Sequence, residues 1–123
     1  MSLLDLNNEL TLSVAVKDRH ASAKWYSDKL GFQLIFHLDD GGWSEMSTAV
    51  PGVTLGLNEF AEPGQGSTVP VFAVKDVSAA RASLERAGVK FDGATGTEEG
   101  MVSVATFFDP DGNTLMIAQD LRN

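Results

Sequence analysis

The sequence predicts an α+β fold built from two tandem βαβββ modules, and three observations carry that prediction. The four letters Ala15-Val16-Lys17-Asp18 return as Ala73-Val74-Lys75-Asp76. In each copy an alternating, strand-like stretch leads into an Asp cap, a helical stretch and a terminating glycine, Gly31 in the first and Gly88 in the second. More strand-like sequence follows both glycines. At 123 residues the chain has the size of one domain and is too short for two independent cores, so the halves are expected to share one.

Taken in order, residues 1–10 show no periodicity and read as an N-terminal arm. From Thr11, Leu12, Val14 and Val16 alternate with Thr11, Ser13 and Ala15, the period of a strand with one bulky and one small face. Asp18 caps a helix with Ser22, Tyr26 and Leu30 along one side, and with Arg19, Lys24 and Lys29 expected to reach solvent. Phe32 to Leu38 reads as a strand running into the hairpin signal Asp39-Asp40-Gly41-Gly42. Strands at Trp43 to Thr48 and Val53 to Asn58, separated by Pro51-Gly52, complete a first module over 11–60.

Residues 61–68, with Pro63, Gly64 and Gly66, read as the connector. The second module, 69–120, opens with the strand Val69 to Val74. Asp76 caps a helix whose Val77, Ala80, Leu84 and Ala87 form one apolar stripe. Lys90 to Gly93 is expected to be a weak strand and Thr95 to Gly100 a loop. Met101 to Phe108 and Thr114 to Gln119 are strands joined by Asp109-Pro110-Asp111-Gly112, whose Pro and Gly suit a type I turn.

Composition narrows the function classes. A net charge of −8 disfavours phosphate backbones and anionic lipid, so neither nucleic acid nor membrane is an expected partner. The chain has no cysteine, which removes disulfides, thiolate metal sites and a thiol nucleophile together. No apolar run is long enough to span a bilayer and no secretory leader pattern is present, so a cytoplasmic location is expected. A Gly-rich phosphate loop and a Gly-x-Ser-x-Gly elbow are also missing from the sequence.

The two modules, together with Asp18, Trp25-Tyr26, Leu30-Gly31-Phe32 and Phe108-Asp109-Pro110-Asp111-Gly112-Asn113, resemble the vicinal oxygen chelate superfamily. That group includes glyoxalases, bleomycin-resistance proteins, fosfomycin-resistance enzymes and extradiol dioxygenases, and the resemblance spans about residues 9–120. It implies a curled, mixed eight-stranded sheet around a central cavity, with the helices outside and often a second chain, hence a homodimer. Where such proteins are enzymes, a divalent metal is usually held by His and Glu side chains on four strands. The matching places here are Thr11, Gly56, Val69 and Met116, and none is a metal ligand. A one-residue shift points to the other face of the sheet. A two-residue shift reaches Ser13, Asn58 or Thr54, Val71, and Thr114 or Ala118, which offer hydroxyls and amides. The resemblance therefore implies a cavity without a catalytic metal, and no cofactor is expected.

If Leu12, Val14, Val16, Phe72, Val74, Leu115 and Ile117 pack beneath the helices, the opposite face carries mostly small residues: Thr11, Ser13, Ala15, Gly56, Val69, Val71, Ala73, Thr114, Met116 and Ala118. A concave face so lined suits a small molecule. Trp43 and Glu45, two apart on one strand, share a side; facing the cavity they would stack on a flat ligand and attract a cation. His37 is a further candidate, able to titrate near neutrality, whereas His20 in the first helical turn is expected to be exposed. Glu98-Glu99 reads as a solvated loop and Asp109/Asp111 as turn residues. The expected function is metal-free binding of a neutral or cationic, partly aromatic small molecule by Thr11, Ser13, His37, Trp43, Glu45, Gly56, Asn58, Val69 and Met116. Two alternatives stand beside it. One is a lyase, isomerase or dioxygenase relative using Glu45 or His37 as acid or base, or a metal; the other is a structural dimer with a filled cavity.

Overall fold

The computed structural model describes residues 8–64 and 69–122. Most of the expected N-terminal arm (1–7), the second half of the expected connector (65–68) and the last residue lie outside them. The chain divides into two compact units, Met1–Glu62 and Pro63–Asn123. The expected α+β architecture is present: each unit carries one helix and one four-stranded mixed sheet.

In the first unit the order is β1 (Leu10–Ala15), α1 (Arg19–Leu30), β2 (Gln33–Leu38), a single 3-10 turn at Asp39–Gly41, β3 (Trp43–Ser47) and β4 (Val53–Asn58). The sheet runs β1-β4-β3-β2, with β1 and β4 parallel and the other neighbours antiparallel. Parallel pairing of the first and last strands requires a crossover between them, which α1 begins. Asp18 accepts a hydrogen bond from the Ala21 amide at 3.1 Å, and Gly31, at φ 74°, donates to the Ser27 carbonyl. The buried side of α1, Ser22, Ala23 and Tyr26, lies over β3 and β4, where Met46, Leu55 and Leu57 are fully enclosed. This is the period-two burial that the alternating pattern predicts.

One expectation fails on α1. Arg19 does not reach solvent; it is only 4% exposed. Its guanidinium donates from Nε to Glu59 Oε1 at 2.9 Å, from Nη1 to the Trp43 carbonyl and Ser44 Oγ, and from Nη2 to Asp39 Oδ1 at 3.0 Å. The Arg19 amide adds a bond to Glu59 Oε2 at 2.8 Å. Helical periodicity places Arg19 at the helix start but carries no information about Glu59, forty residues on, which draws the side chain inward. These bonds hold the Glu59 carboxyl below its ordinary range. The Asp39 carboxyl is lowered too, by His20 and then Arg19, and the Arg19 pKa is raised, chiefly by Glu59.

The second unit runs β5 (Val71–Ala73), α2 (Val77–Arg86), β6 (Gly96–Glu98), β7 (Val102–Phe108) and β8 (Thr114–Asp120), in the sheet order β5-β8-β7-β6. Asp76 caps α2 through the Ala79 amide at 3.0 Å. Val77, Val89, Ala105, Phe107, Leu115 and Ile117 are its buried apolar residues. A second correction falls here. Lys90 to Gly93 forms no strand; Phe91 makes a lone bridge to Phe107, and Gly93 turns the chain away at φ 71°. The sheet's fourth strand is instead β6, in the stretch expected to be a loop, where Gly96, Thr97 and Glu98 pair with Val104, Ser103 and Val102. Glycines on both sides masked a three-residue strand too short to show a period. The expected turn is present: buried Asp109 accepts from the Asp111 and Asn113 amides and from Asn113 Nδ2 at 2.8–2.9 Å, which accounts for that carboxylate.

Candidate functional site

The open face of the first sheet, away from α1, is where the candidate residues gather. Registers place them: Ser13 pairs with Gly56, Gly56 with Glu45, Glu45 with Phe36, and Asn58 with Trp43. Directly paired residues share a face, so Ser13, Trp43, Glu45, Gly56 and Asn58 project to one side.

Gly56 is the hinge of this arrangement. A methyl carbon at that position would occupy the same space as Cζ2 and Cη2 of Trp43. The indole therefore lies flat against the Gly56 backbone, and the absence of a side chain is what admits it. The indole nitrogen donates to Glu45 Oε1 at 2.9 Å, and Thr54 Oγ1 donates to Glu45 Oε2 at 3.0 Å. Thr54 Oγ1 is also 2.8 Å from Thr11 Oγ1. A hydroxyl has one proton, and that of Thr54 is committed to Glu45, so Thr11 is the donor to Thr54. A directed chain results, Thr11 to Thr54 to Glu45, met from the other side by Trp43. Both carboxylate oxygens are thereby oriented, and the indole is fixed in place.

Beside this chain lies a cavity of about 440 Å³, within the usual range for small-ligand sites. Thr11, Thr54 and Glu45 line one wall, with Leu10, Val50 and Val53 among the apolar remainder. Its rim is shaped by Ala49, which stands in the left-handed region at φ 69°. Thr48 Oγ1 holds that turn by accepting from the Val50 amide and donating to the Val53 carbonyl. Strain of this kind costs about 1–3 kcal/mol and gathers at functional surfaces.

His37 pairs with Ser44 and is bonded to its Oγ at 2.6 Å, on the side that α1 covers, so it does not join Glu45. A bulge between Leu34 and Phe36 lies just before it in β2, so counting twos along the strand misassigns the side. Asn58 Oδ1 is engaged by the Phe60 amide at 2.8 Å and serves the turn after β4. Val69 and Met116 belong to the second unit, where Val71 pairs with Met116 and Met116 donates its amide to Pro70. Sequence reasoning gave Thr54 only a marginal place and Val50 none. Thr54 was recoverable, since it sits two residues from Gly56 on the same face.

Comparison with known proteins agrees with this architecture. The family model of the Glyoxalase/Bleomycin resistance protein/Dioxygenase superfamily matches residues 10–117. No functionally curated protein matches the chain. Among solved structures, a member of that superfamily from Sphaerobacter thermophilus DSM 20745 superposes with a TM-score of 0.81 at 21% identity, over 95% of this chain and 100% of the other. TnmS3, an antibiotic binding protein from Streptomyces sp. CB03234, gives 0.78 at 24% identity, over 95% and 98%. A glyoxalase/bleomycin resistance protein from the same organism gives 0.69 at 27% identity, over 89% and 97%.

Proposed function

Because the chain belongs to the glyoxalase/bleomycin resistance protein/dioxygenase superfamily, we propose that it is a binding protein for a neutral or cationic, partly aromatic small molecule. The observation that carries this reading is Glu45, whose carboxylate lines a cavity of about 440 Å³ and is held by the Trp43 indole nitrogen at 2.9 Å. An aromatic face with an anion beside it attracts a cation by quadrupole and charge together. The acidic balance of the chain, −8, adds a field of the same sign. One solved relative is described as an antibiotic binding protein, which fits a natural product as the ligand class.

Thr11, Ser13 and Gly56 complete the proposed ligand surface of the first unit, while His37 and Asn58 act through the strand and turn they hold. Binding needs no catalytic metal: the four places where the superfamily's enzymes hold one carry a hydroxyl, no side chain, an isopropyl group and a thioether. These donors do not fit Zn, Ni, Mn or Fe. Glu45 lacks the imidazole partner that an acid–base lyase or isomerase would want, since His37 stands on the other face.

The test is fluorescence titration of EDTA-treated protein with benzyltrimethylammonium and with phenylacetate, ligands of similar size and opposite charge. Preference for the cation is expected, and Glu45→Gln should weaken it about tenfold, the cost of one charge-assisted contact. Turnover of a glutathione hemithioacetal after Ni or Zn addition would instead make the chain an enzyme.

We propose further that the protein acts in the cytoplasm as a homodimer. Among the described residues no helix is long and apolar enough to cross a membrane. β2, an edge strand of the first sheet, exposes Leu34, Ile35, Phe36 and Leu38, between 43% and 52% each. An apolar edge of that kind is usually covered by another chain. Light scattering is expected to give twice the 13.1 kDa chain mass; a monomer at all concentrations would remove this part.

A further inference from the structure

The chain has two histidines, seventeen positions apart, and the fold stacks them on each other. The ring centroids of His20 and His37 are 3.9 Å apart with 24° between the planes. Asp39, in the turn that follows β2, joins them: His20 Nε2 lies 3.1 Å from Asp39 Oδ1. Potential ligand atoms of all three residues fall within 4.8 Å of one another. We propose that His20, His37 and Asp39 form a binding site for one divalent transition-metal ion, on the α1-covered side of β2 and apart from the ligand cavity.

Three physical points support it. Two imidazoles and a carboxylate are the donor set that selects zinc, nickel or copper over magnesium and calcium. The separation between His20 Nε2 and Asp39 Oδ1 is close to a coordination edge: metal–ligand bonds of about 2.0–2.2 Å at a tetrahedral angle put neighbouring donors roughly 3.4 Å apart. An ion entering there replaces a proton with little displacement of either group. The third point is the outer support of His37. Its Nδ1 is bonded at 2.6 Å to Ser44 Oγ, which is wholly buried and also receives Arg19 Nη1 at 3.0 Å. With Nδ1 held in this way, Nε2 is the nitrogen left for an ion, and the ring is oriented as metal-bound histidines usually are.

Access and charge are also accounted for. The His20 and Asp39 side chains are 59% and 68% exposed, so an ion arrives from solvent and keeps water in its remaining positions. The rings must tilt out of their near-parallel stack to converge on one ion, and His20, in the first turn of α1, has the room to do so. Arg19 is the opposing cation. Its Nε is paired with Glu59 at 2.9 Å, which offsets its charge, and its Nη2 reaches the same Asp39 oxygen, Oδ1, that faces His20; that oxygen has a second lone pair for the ion. Bound there, the ion would clip the start of α1 to the β2–β3 connection.

Calorimetric titration of the EDTA-treated protein with zinc chloride tests this. One equivalent per chain is expected, with cobalt chloride giving visible absorption bands of nitrogen and oxygen ligation. His20→Ala and Asp39→Asn alter exposed side chains and leave the fold intact by circular dichroism; each should weaken zinc at least tenfold and remove the cobalt bands. Binding only at millimolar zinc, or binding that survives both substitutions, overturns the proposal.

Discussion

Gly56→Ala is expected to displace Trp43 from the sheet and with it the proposed cation preference. A methyl group at position 56 occupies the volume of the indole's outer ring, and β4 is held between β1 and β3, so the backbone has little room to retreat. The ring therefore rotates out, and the bond from its nitrogen to Glu45 is lost. Overpacking of this sort typically costs about 1–3 kcal/mol of stability. In a Trp25→Phe background, where Trp43 is the sole tryptophan, emission should shift to the red and affinity for benzyltrimethylammonium should fall at least tenfold. Unchanged emission would mean that the indole does not rest on Gly56 in solution.

Arg19→Met is expected to be the most damaging change to the first unit. The methionine keeps much of the aliphatic volume but leaves Glu59 Oε1, the Trp43 carbonyl and Ser44 Oγ without the guanidinium that donates to them. Removing one partner of a buried, hydrogen-bonded charge leaves the others desolvated, and a fall of about 5–15 °C in Tm is expected. The acid limb should change with it. Asp39 and Glu59 are held below their ordinary values of 3.8 and 4.5. The unfolded state thus binds more protons, and the stability these groups contribute is present above those values. It fades as pH drops through the lowered ones. The wild type should accordingly lose stability as pH falls below about 4.5, and the variant should lose less over the same interval. Parallel acid limbs would show that the Arg19 amide on Glu59 and His20 on Asp39, the largest causes of the lowered values, set these ionisations without the guanidinium.

The two modules were legible because their signals are local. Asp18 and Asp76 as caps, Gly31 as a stop, and the alternation through Leu12, Val14 and Val16 each depend on residues within one turn or one strand. The Asp109-to-Asn113 turn was legible for the same reason. β6 was not, because three residues between glycines carry no period, and its partner β7 alone makes it a strand.

The candidate site divides along the same line. That Trp43 and Glu45 share a face follows from a spacing of two, and the sequence by itself determines it. Which face they take, the burial of Arg19, the stacking of His20 on His37 and the resting of the indole on Gly56 were decided by the tertiary structure. Each of these joins residues on separate elements, and the energy that selects it, burial of a charge or close contact of a ring with backbone, exists only once those elements have packed.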